Sequence, residues 1–389
     1  MIGSHSRSPP TANRRFPRGV LTALATSLAV LCFLSSIVRV SCEAVGTYAT
    51  DPSSDVTSAS SAVTSASSDV SNASSVVTSV STADVTPGKV FSRGRYTVKR
   101  GAFLLKGRQF LFKSNPPKPL RIWSPKPATA TALPVLVFQH GFSSQNTMYS
   151  QLLTRIAKHG FIVVAPQMYP VTAGYNTAPE MRSAANVIGW LRKRLASVLK
   201  NRLKVKAVPD WEKFAISGHS RGGKVAFGVA RGLVKKSPVT IGAVILVDPV
   251  DGAYQGKSVP ATLTHSPGSI TLSAPVLVIG AGLGPIPSQE GGMPCAPAYF
   301  GHKFYYSDLA ASAYHVVLPK YGHADFNNDL RIPVNVCPGG PKKAKARAAT
   351  AGLVVAFLRA KLDGDSNDLD DVLANPGHSP VTLSPVESK

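Results

Sequence analysis

"FAISGHSRGGKVAF" runs from Phe214 to Phe227, and its reading decides the fold. Phe214 to Ile216 read as the end of a buried strand, Val225 to Phe227 as one side of a helix, and Gly218-His219-Ser220-Arg221-Gly222 stands between them. Gly-x-Ser-x-Gly between a strand and a helix is the context of a nucleophile elbow, a tight turn that lifts a serine off the end of a sheet. Gly218 and Gly222 are called for because a side chain at either position would collide with the neighbouring strand and helix. In a chain with 32 glycines the five residues alone can arise by chance. The strand-to-helix setting makes Ser220 a candidate nucleophile.

Outward from this stretch, short apolar runs alternate with helical patterns. "AFLLKGRQFLF" (102–112) and "LRIW" (120–123) read as an opening antiparallel pair. "PVLVFQHGF" carries a buried strand at Val135 to Phe138, "MYSQLLTRIAKHG" a helix ended by Gly160, and "FIVVAP" the next strand. A helix from Pro179 to about Leu199 aligns Ala184, Val187, Ile188, Leu191, Leu195 and Leu199 on one face. "IGAVILVD", "PVLVIGAG" and "YHVVLP" read as strands, and "ARAATAGLVVAFLRAKL" as a last amphipathic helix before a polar tail. This alternation specifies an α/β fold with a mostly parallel central sheet covered by helices on both faces, and the elbow within it leads us to expect the α/β-hydrolase type. In such sheets function gathers at the carboxyl ends of the strands.

A serine hydroxyl needs a base to take its proton and a carboxylate to orient that base, in the chain order Ser, acid, His. "VVLPKYGHADF" supplies His323 just beyond a strand. His140 and His159 precede the serine, His219 belongs to the elbow, and His5, His265, His302, His315 and His378 have no comparable placement. "AVILVDPVDG" offers Asp248 at a strand end, favoured as the acid, and Asp251 in the following turn as the alternative. Oxyanion donors are expected from the backbone N–H groups of Arg221, directly after the nucleophile, and Phe142, in the loop after the first parallel strand. Phe142, Met148, Met168, Tyr169, Phe300, Tyr305 and Tyr306 are candidates for an apolar cleft.

The first 88 of the 389 residues have a different composition. Arg14, Arg15 and Arg18 precede the apolar "VLTALATSLAVLCFLSSIV" (20–38), so residues 1–44 read as a signal, a membrane anchor or a plastid targeting segment. Residues 45–88 hold the heptads "SSDVTSA", "SSAVTSA", "SSDVSNA" and "SSVVTSV", poor in helix formers and read as a disordered spacer. The catalytic domain is expected over 89–362, with 363–389 as the polar tail. Net charge is +23, with one basic run from Arg192 to Lys206 and another from Lys342 to Arg347. Such patches attract anionic surfaces, and nothing else resembles a nucleic-acid module, so a membrane surface is the expected anionic partner. Cys295 and Cys337 are open to either pairing or free thiols, and no His or Cys spacing suggests a metal site.

"HGF" followed by "YSQLLTRIAKHGFIVVAPQMY", "SAANVIGWL", "SGHSRGGKVAF", "VDPVDG" and "KYGHADF" together resemble the plant and algal chlorophyllase family over about Gly101 to Leu362. The resemblance implies hydrolysis of the phytyl ester of chlorophyll, a triad of Ser220, Asp248 and His323, no dissociable cofactor, and a chloroplast location. The signal-like leader leaves the secretory pathway as the alternative. Gln139 and Ala324 stand where the family more often has an aliphatic residue and a methionine. Two other readings use the same residues: a general lipase or cutinase-like carboxylesterase, and a hydrolase-fold receptor or binding protein without turnover.

Overall fold

The computed structural model describes residues 88–103, 115–170, 173–253, 256–289, 292–329 and 337–389, so the leader, the repeat tract and most of the expected strand 102–112 lie outside it. Among the described residues one sheet holds β1 (Val98–Phe103), β2 (Leu120–Pro125), β3 (Thr131–Gln139), β4 (Ile162–Pro166), β5 (Ala207–His219), β6 (Ala243–Val247), β7 (Val276–Ala281), β8 (Ala313–Leu318) and β9 (Val386–Ser388). The order across it is β1-β2-β4-β3-β5-β6-β7-β8-β9. Strands β4, β3, β5, β6, β7 and β8 are mutually parallel, whereas β1, β2 and β9 pair antiparallel at the two sides. Six carboxyl ends therefore open on one side of the sheet.

Strand alternation sorts the apolar residues into two layers. Leu136 and Phe138 of β3 join one cluster, while Val135 and Val137 join the other. Ile245 and Val247 are likewise separated from Val244 and Leu246 in β6. The first layer is closed by α1 (Ser150–Lys158), α5 (Lys343–Leu358) and α6 (Asn367–Ala374); the second by α2 (Ala178–Val198), α3 (Arg221–Ala230) and α4 (His302–Asp308). All six apolar positions expected on the face of α2 are buried. Two-faced burial explains why the parallel strands read as unbroken apolar runs.

Two expectations change. The last long helix, α5, is not amphipathic: every residue from Ala346 to Leu358 is buried. It is packed on several sides, by α1, by α6, and by Phe91, whose ring lies against Gly352. The segment 363–389 is not a polar tail. It carries α6, which buries Leu369 and Val372, and β9, which adds to the sheet beside β8 with Val316 opposite Val386. Polar and charged residues together dominate its composition, but Leu369, Val372, Val381 and Leu383 face the first layer.

Among the described residues no helix is long and apolar enough to cross a membrane. Cys295 and Cys337 form a disulfide, with Cα atoms 5.7 Å apart.

Candidate active site

The elbow forms where β5 ends at His219 and α3 begins at Arg221. Ser220 between them has φ 56° and ψ −126°, a conformation costly for a residue with a side chain and held by its surroundings. A Cβ on Gly218 would strike the Gly222 carbonyl, and one on Gly222 the carbonyls of Gln139 and His140. Both positions therefore require glycine. Ser220 N–H donates to Val247 O at 3.0 Å, and Ser220 O accepts from the N–H groups of Gly223 (2.9 Å) and Lys224 (3.2 Å). The strand ahead and the helix behind thus share one rigid turn.

Asp248 leaves the carboxyl end of β6, also at positive φ (43°), with its N–H bonded to Ile279 O at 2.6 Å. Its Oδ1 accepts the Ala281 N–H at 3.0 Å and its Oδ2 accepts His323 Nδ1–H at 2.6 Å. Burial pushes this carboxyl up. The His323 hydrogen bond, the electrostatic interaction with His323 and the Ala281 N–H outweigh it, leaving the pKa below the ordinary carboxylate value. Asp251 has other work. It faces the buried Lys224 ammonium at 3.0 Å and accepts from Thr262 N–H, Thr262 Oγ1–H and Leu263 N–H. The two aspartates are separated by position: Asp248 meets the histidine, and Asp251 holds the 258–263 loop against α3.

His323 opens a short 3-10 turn after β8, braced by Asp325, which accepts from Gly322 N–H (2.8 Å) and Gly340 N–H (2.7 Å) and pairs with Lys343 at 3.0 Å. Arg347, buried in α5, donates to Asn327 O at 2.8 Å and fixes the far side of that turn. The ring is bonded to Asp248, and among the described residues Ser220 Oγ makes no hydrogen bond to it. Such nucleophile–base bonds commonly tighten only with substrate present.

Serine and histidine loops are joined instead through His219. Its Nε2–H donates to His323 O at 2.9 Å, and its Nδ1 accepts from the Tyr149 hydroxyl at 2.8 Å. The same hydroxyl accepts the Gly141 N–H at 3.0 Å. A single chain of hydrogen bonds therefore runs from the loop after β3, through the elbow, to the histidine turn. Burial, then the His323 charge, lowers the His219 pKa to about 3, and burial raises that of Tyr149 to about 12. Both are neutral at physiological pH, as the chain of donors requires.

The loop after β3 lies against the serine: a Cβ on Gly141 would fall 3.2 Å from Ser220 Cβ. Gly141 O accepts from Tyr169 Oη–H at 2.9 Å. Met168 N–H donates to His140 Nε2 at 2.9 Å, so His140 carries its proton on Nδ1, 2.9 Å from Gly141 O. Phe142 follows, half exposed, at the position expected for one oxyanion donor. Arg221, expected to supply the other, opens α3, so its N–H has no intrahelical acceptor. Its guanidinium donates from Nε and Nη2 to both Glu180 oxygens and from Nη2 to Gly174 O at 2.6 Å.

Of the cleft candidates, Tyr305 is fully buried against Phe227, and Met168 and Tyr169 are also buried. They pack the core and loops; Met148, Phe300 and Tyr306 are partly exposed, and Phe142 is the most open of the seven. Sequence reading missed Tyr149 and the bonds made by His219, which join segments far apart in the chain, and it missed Asp325, whose partners Gly340 and Lys343 lie beyond its own turn. Behind Asp248 it also missed His302, bonded through Nδ1 to His315 Nε2 (2.8 Å), whose Nδ1 meets Glu387 at 2.6 Å. Among the described residues no group of three His, Cys, Asp or Glu side chains could hold a metal ion.

This geometry carries the parts of an acyl-transfer site. The chlorophyllase family model matches residues 86–389. The chain is 38% identical to chlorophyllase type 0 of Chenopodium album over 305 residues, 76% of this chain and 84% of that one. It is 36% identical to chlorophyllase-2 of Arabidopsis thaliana over 269 residues, 66% of this chain and 82% of that one. It is 33% identical to the chloroplastic chlorophyllase-1 of Citrus unshiu over 77% of this chain and 88% of that one. An α/β sheet with a strained serine elbow, matched over nearly its whole described length, makes this chain a carboxylic ester hydrolase that belongs to the chlorophyllase family.

Proposed function

We propose that the chain hydrolyses the phytyl ester of chlorophyll to chlorophyllide and phytol, with Ser220 as nucleophile, His323 as general base and acid, and Asp248 as the orienting carboxylate. The observation carrying this reading is the 2.6 Å bond from His323 Nδ1 to Asp248 beside the strained serine. With Nδ1–H committed to Asp248, Nε2 is the basic atom of the ring. It takes the Ser220 proton as Oγ bonds to the propionate carbonyl carbon and the carbonyl electron pair moves onto oxygen. The N–H groups of Phe142 and Arg221 donate to that oxyanion. As the carbonyl re-forms, the C–O bond to phytol breaks and the leaving oxygen takes the proton from His323. Water attacks the acyl-serine by the same route, giving its proton to His323 and then to Ser220 Oγ. The magnesium stays in the macrocycle as part of the substrate.

The catalytic unit in this reading extends through α6 and β9 to Lys389, supported by the Glu387–His315–His302 chain behind the acid. A chloroplast location is supported by relatives named chloroplastic, and a C-terminally tagged copy imaged in cells checks it. Incubation with chlorophyll and with short acyl esters tests the substrate. Chlorophyllide should form faster than the short esters are cleaved; turnover of short esters alone would overturn the phytyl-ester reading. An organophosphonate should label the parent chain and not Ser220→Ala.

A further inference from the structure

Eight large apolar side chains are exposed among the described residues, and they are not spread evenly. Phe142, Tyr175, Val259, Ile286, Met293 and Tyr299, each 43–56% exposed, stand on connections that leave the carboxyl ends of β3, β4, β6 and β7. Val208 and Leu233 lie at the opposite end, where β5 starts and α3 has finished. Single exposed apolar residues are ordinary on a soluble surface, but six gathered at one end of a sheet mark an interaction face.

Four of these side chains stand on loops that pack on the serine elbow or on Asp248. Phe142 follows Gly141, which packs on Ser220. Tyr175 follows Gly174, whose carbonyl is held by Arg221, and the Val259 N–H bonds to Tyr175 O at 3.2 Å, setting those two loops side by side. Ile286 closes a turn on Leu283 O around Gly284, and a Cβ on Gly284 would be 3.1 Å from Asp248 Oδ2. On the His323 side, exposed Lys320, Lys342 and Lys345 flank the turn, and the nearby acids are engaged: Asp325 is buried with Lys343, and Asp329 is paired with Arg347.

The larger basic run, Arg192 to Lys206, is elsewhere. It follows α2 away from Glu180 at the elbow, and Lys206 Nζ donates to Ala128 O ahead of β3, at the amino ends of the strands. The fold thus separates two basic surfaces, and only the smaller one shares an end with the group of six exposed apolar side chains.

We propose that the carboxyl-end face is a membrane-docking surface: its six apolar side chains enter the boundary between headgroups and acyl chains of a bilayer, and Lys320, Lys342 and Lys345 meet anionic headgroups. This rests on the proposed function, because an ester of a long apolar alcohol reaches Ser220 from a bilayer without crossing water. A surface that combines apolar insertion with cationic contact fits an anionic lipid surface better than a protein partner, whose interface would exclude unpaired lysines from its core.

The experiment places a tryptophan reporter at each end of the full chain, Ile286→Trp and Val208→Trp, and adds vesicles of neutral and anionic phospholipid carrying brominated acyl chains. Emission is read as the difference between each variant and the parent chain, which carries Trp123, Trp190 and Trp211. The difference reports the substituted position alone, so an apolar N-terminal stretch that itself enters the bilayer does not mask the result. Bromolipid should quench the Ile286→Trp signal several-fold more than the Val208→Trp signal. Equal quenching, or quenching of Val208→Trp alone, overturns the docking face. In a second arm, Lys342→Gln with Lys345→Gln should slow hydrolysis of vesicle-borne chlorophyll about 25-fold, about five-fold per lysine, while Arg192→Gln with Arg194→Gln leaves it unchanged. The reverse ranking also overturns the proposal. Hydrolysis of detergent-dispersed chlorophyll, which needs no docking, tests the proposed function separately: its loss in the parent chain removes that reading, whereas its persistence without Ile286→Trp quenching removes only the docking face.

Discussion

Ser220 and Asp248 both hold positive φ without being glycine, and both stand at the carboxyl ends of central strands. Strain of this kind persists where surrounding bonds over-determine it, and it clusters where a side chain is used. Ser220→Ala should therefore lower turnover by a factor of about 10³ or more while the protein remains folded, checked by chlorophyllide formation beside a thermal melt. The two aspartates separate on the same pair of measurements. Asp248→Asn should cost about 10⁴ in kcat with little loss of stability. Asp251→Asn leaves the buried Lys224 without its carboxylate and should cost about 3–5 kcal/mol of stability. A melting temperature that falls for Asp248→Asn and not for Asp251→Asn would reverse the assignment. Gln139 presents the opposite situation. Its amide is fully buried, and neither its nitrogen nor its oxygen has a hydrogen-bond partner among the described residues. Replacing an unsatisfied buried amide by an apolar group of similar volume removes a penalty of about 1–3 kcal/mol. Gln139→Leu should therefore raise the denaturation midpoint.

Among the elements, the C-terminal segment departs furthest from its composition. Between Asp363 and Lys389 the polar residues are frequent and the apolar ones sparse, so local pattern gives no face to bury. Tertiary contact supplies one. Leu369, Val372, Val381 and Leu383 each fit into the first layer, and β9 covers the edge of β8 that would otherwise be open. At about 1.5–3 kcal/mol for each buried side chain, removal of residues 364–389 forfeits an amount comparable to the whole stability of a domain. Truncation after Asp363 should abolish soluble folded protein, measured as yield and as loss of the cooperative melt; an unchanged melt would restore the polar-tail reading. Helix α5 shows the complementary case. Its run of alanine, valine and leucine was legible as a helix, but its burial on all sides was not, because periodicity reports a face only when one side meets water.

Across the molecule, three buried histidines are kept neutral. Burial is the leading cause in each case, lowering His219 to about 3 and His140 and His302 to about 4. An unfolded histidine titrates near its ordinary value of about 6.5, so below that pH the unfolded chain binds protons that the folded chain refuses. The stability these neutral rings preserve is present in full above about pH 6.5 and drains as pH falls toward about 4, at about 1.4 kcal/mol per pH unit per histidine. With all three acting, the denaturation free energy should drop by about 4 kcal/mol per pH unit between roughly pH 6 and 4.5. A flat profile over that window would mean that these rings accept protons in the folded state.

The α/β class, the succession of strands and helices along the chain and the elbow were determined by the sequence, because strand alternation, glycine sterics and the chain order of serine, acid and histidine are local or nearly local properties. The contact of Asp248, not Asp251, with His323, the engagement of Tyr149 and His219, the folded C-terminal segment and the gathering of exposed apolar side chains at one end were decided only by the tertiary structure. Each depends on which distant segments the sheet brings together. Two aspartates three residues apart have the same chemistry in a sequence; the fold places one against an imidazole and the other against a buried ammonium.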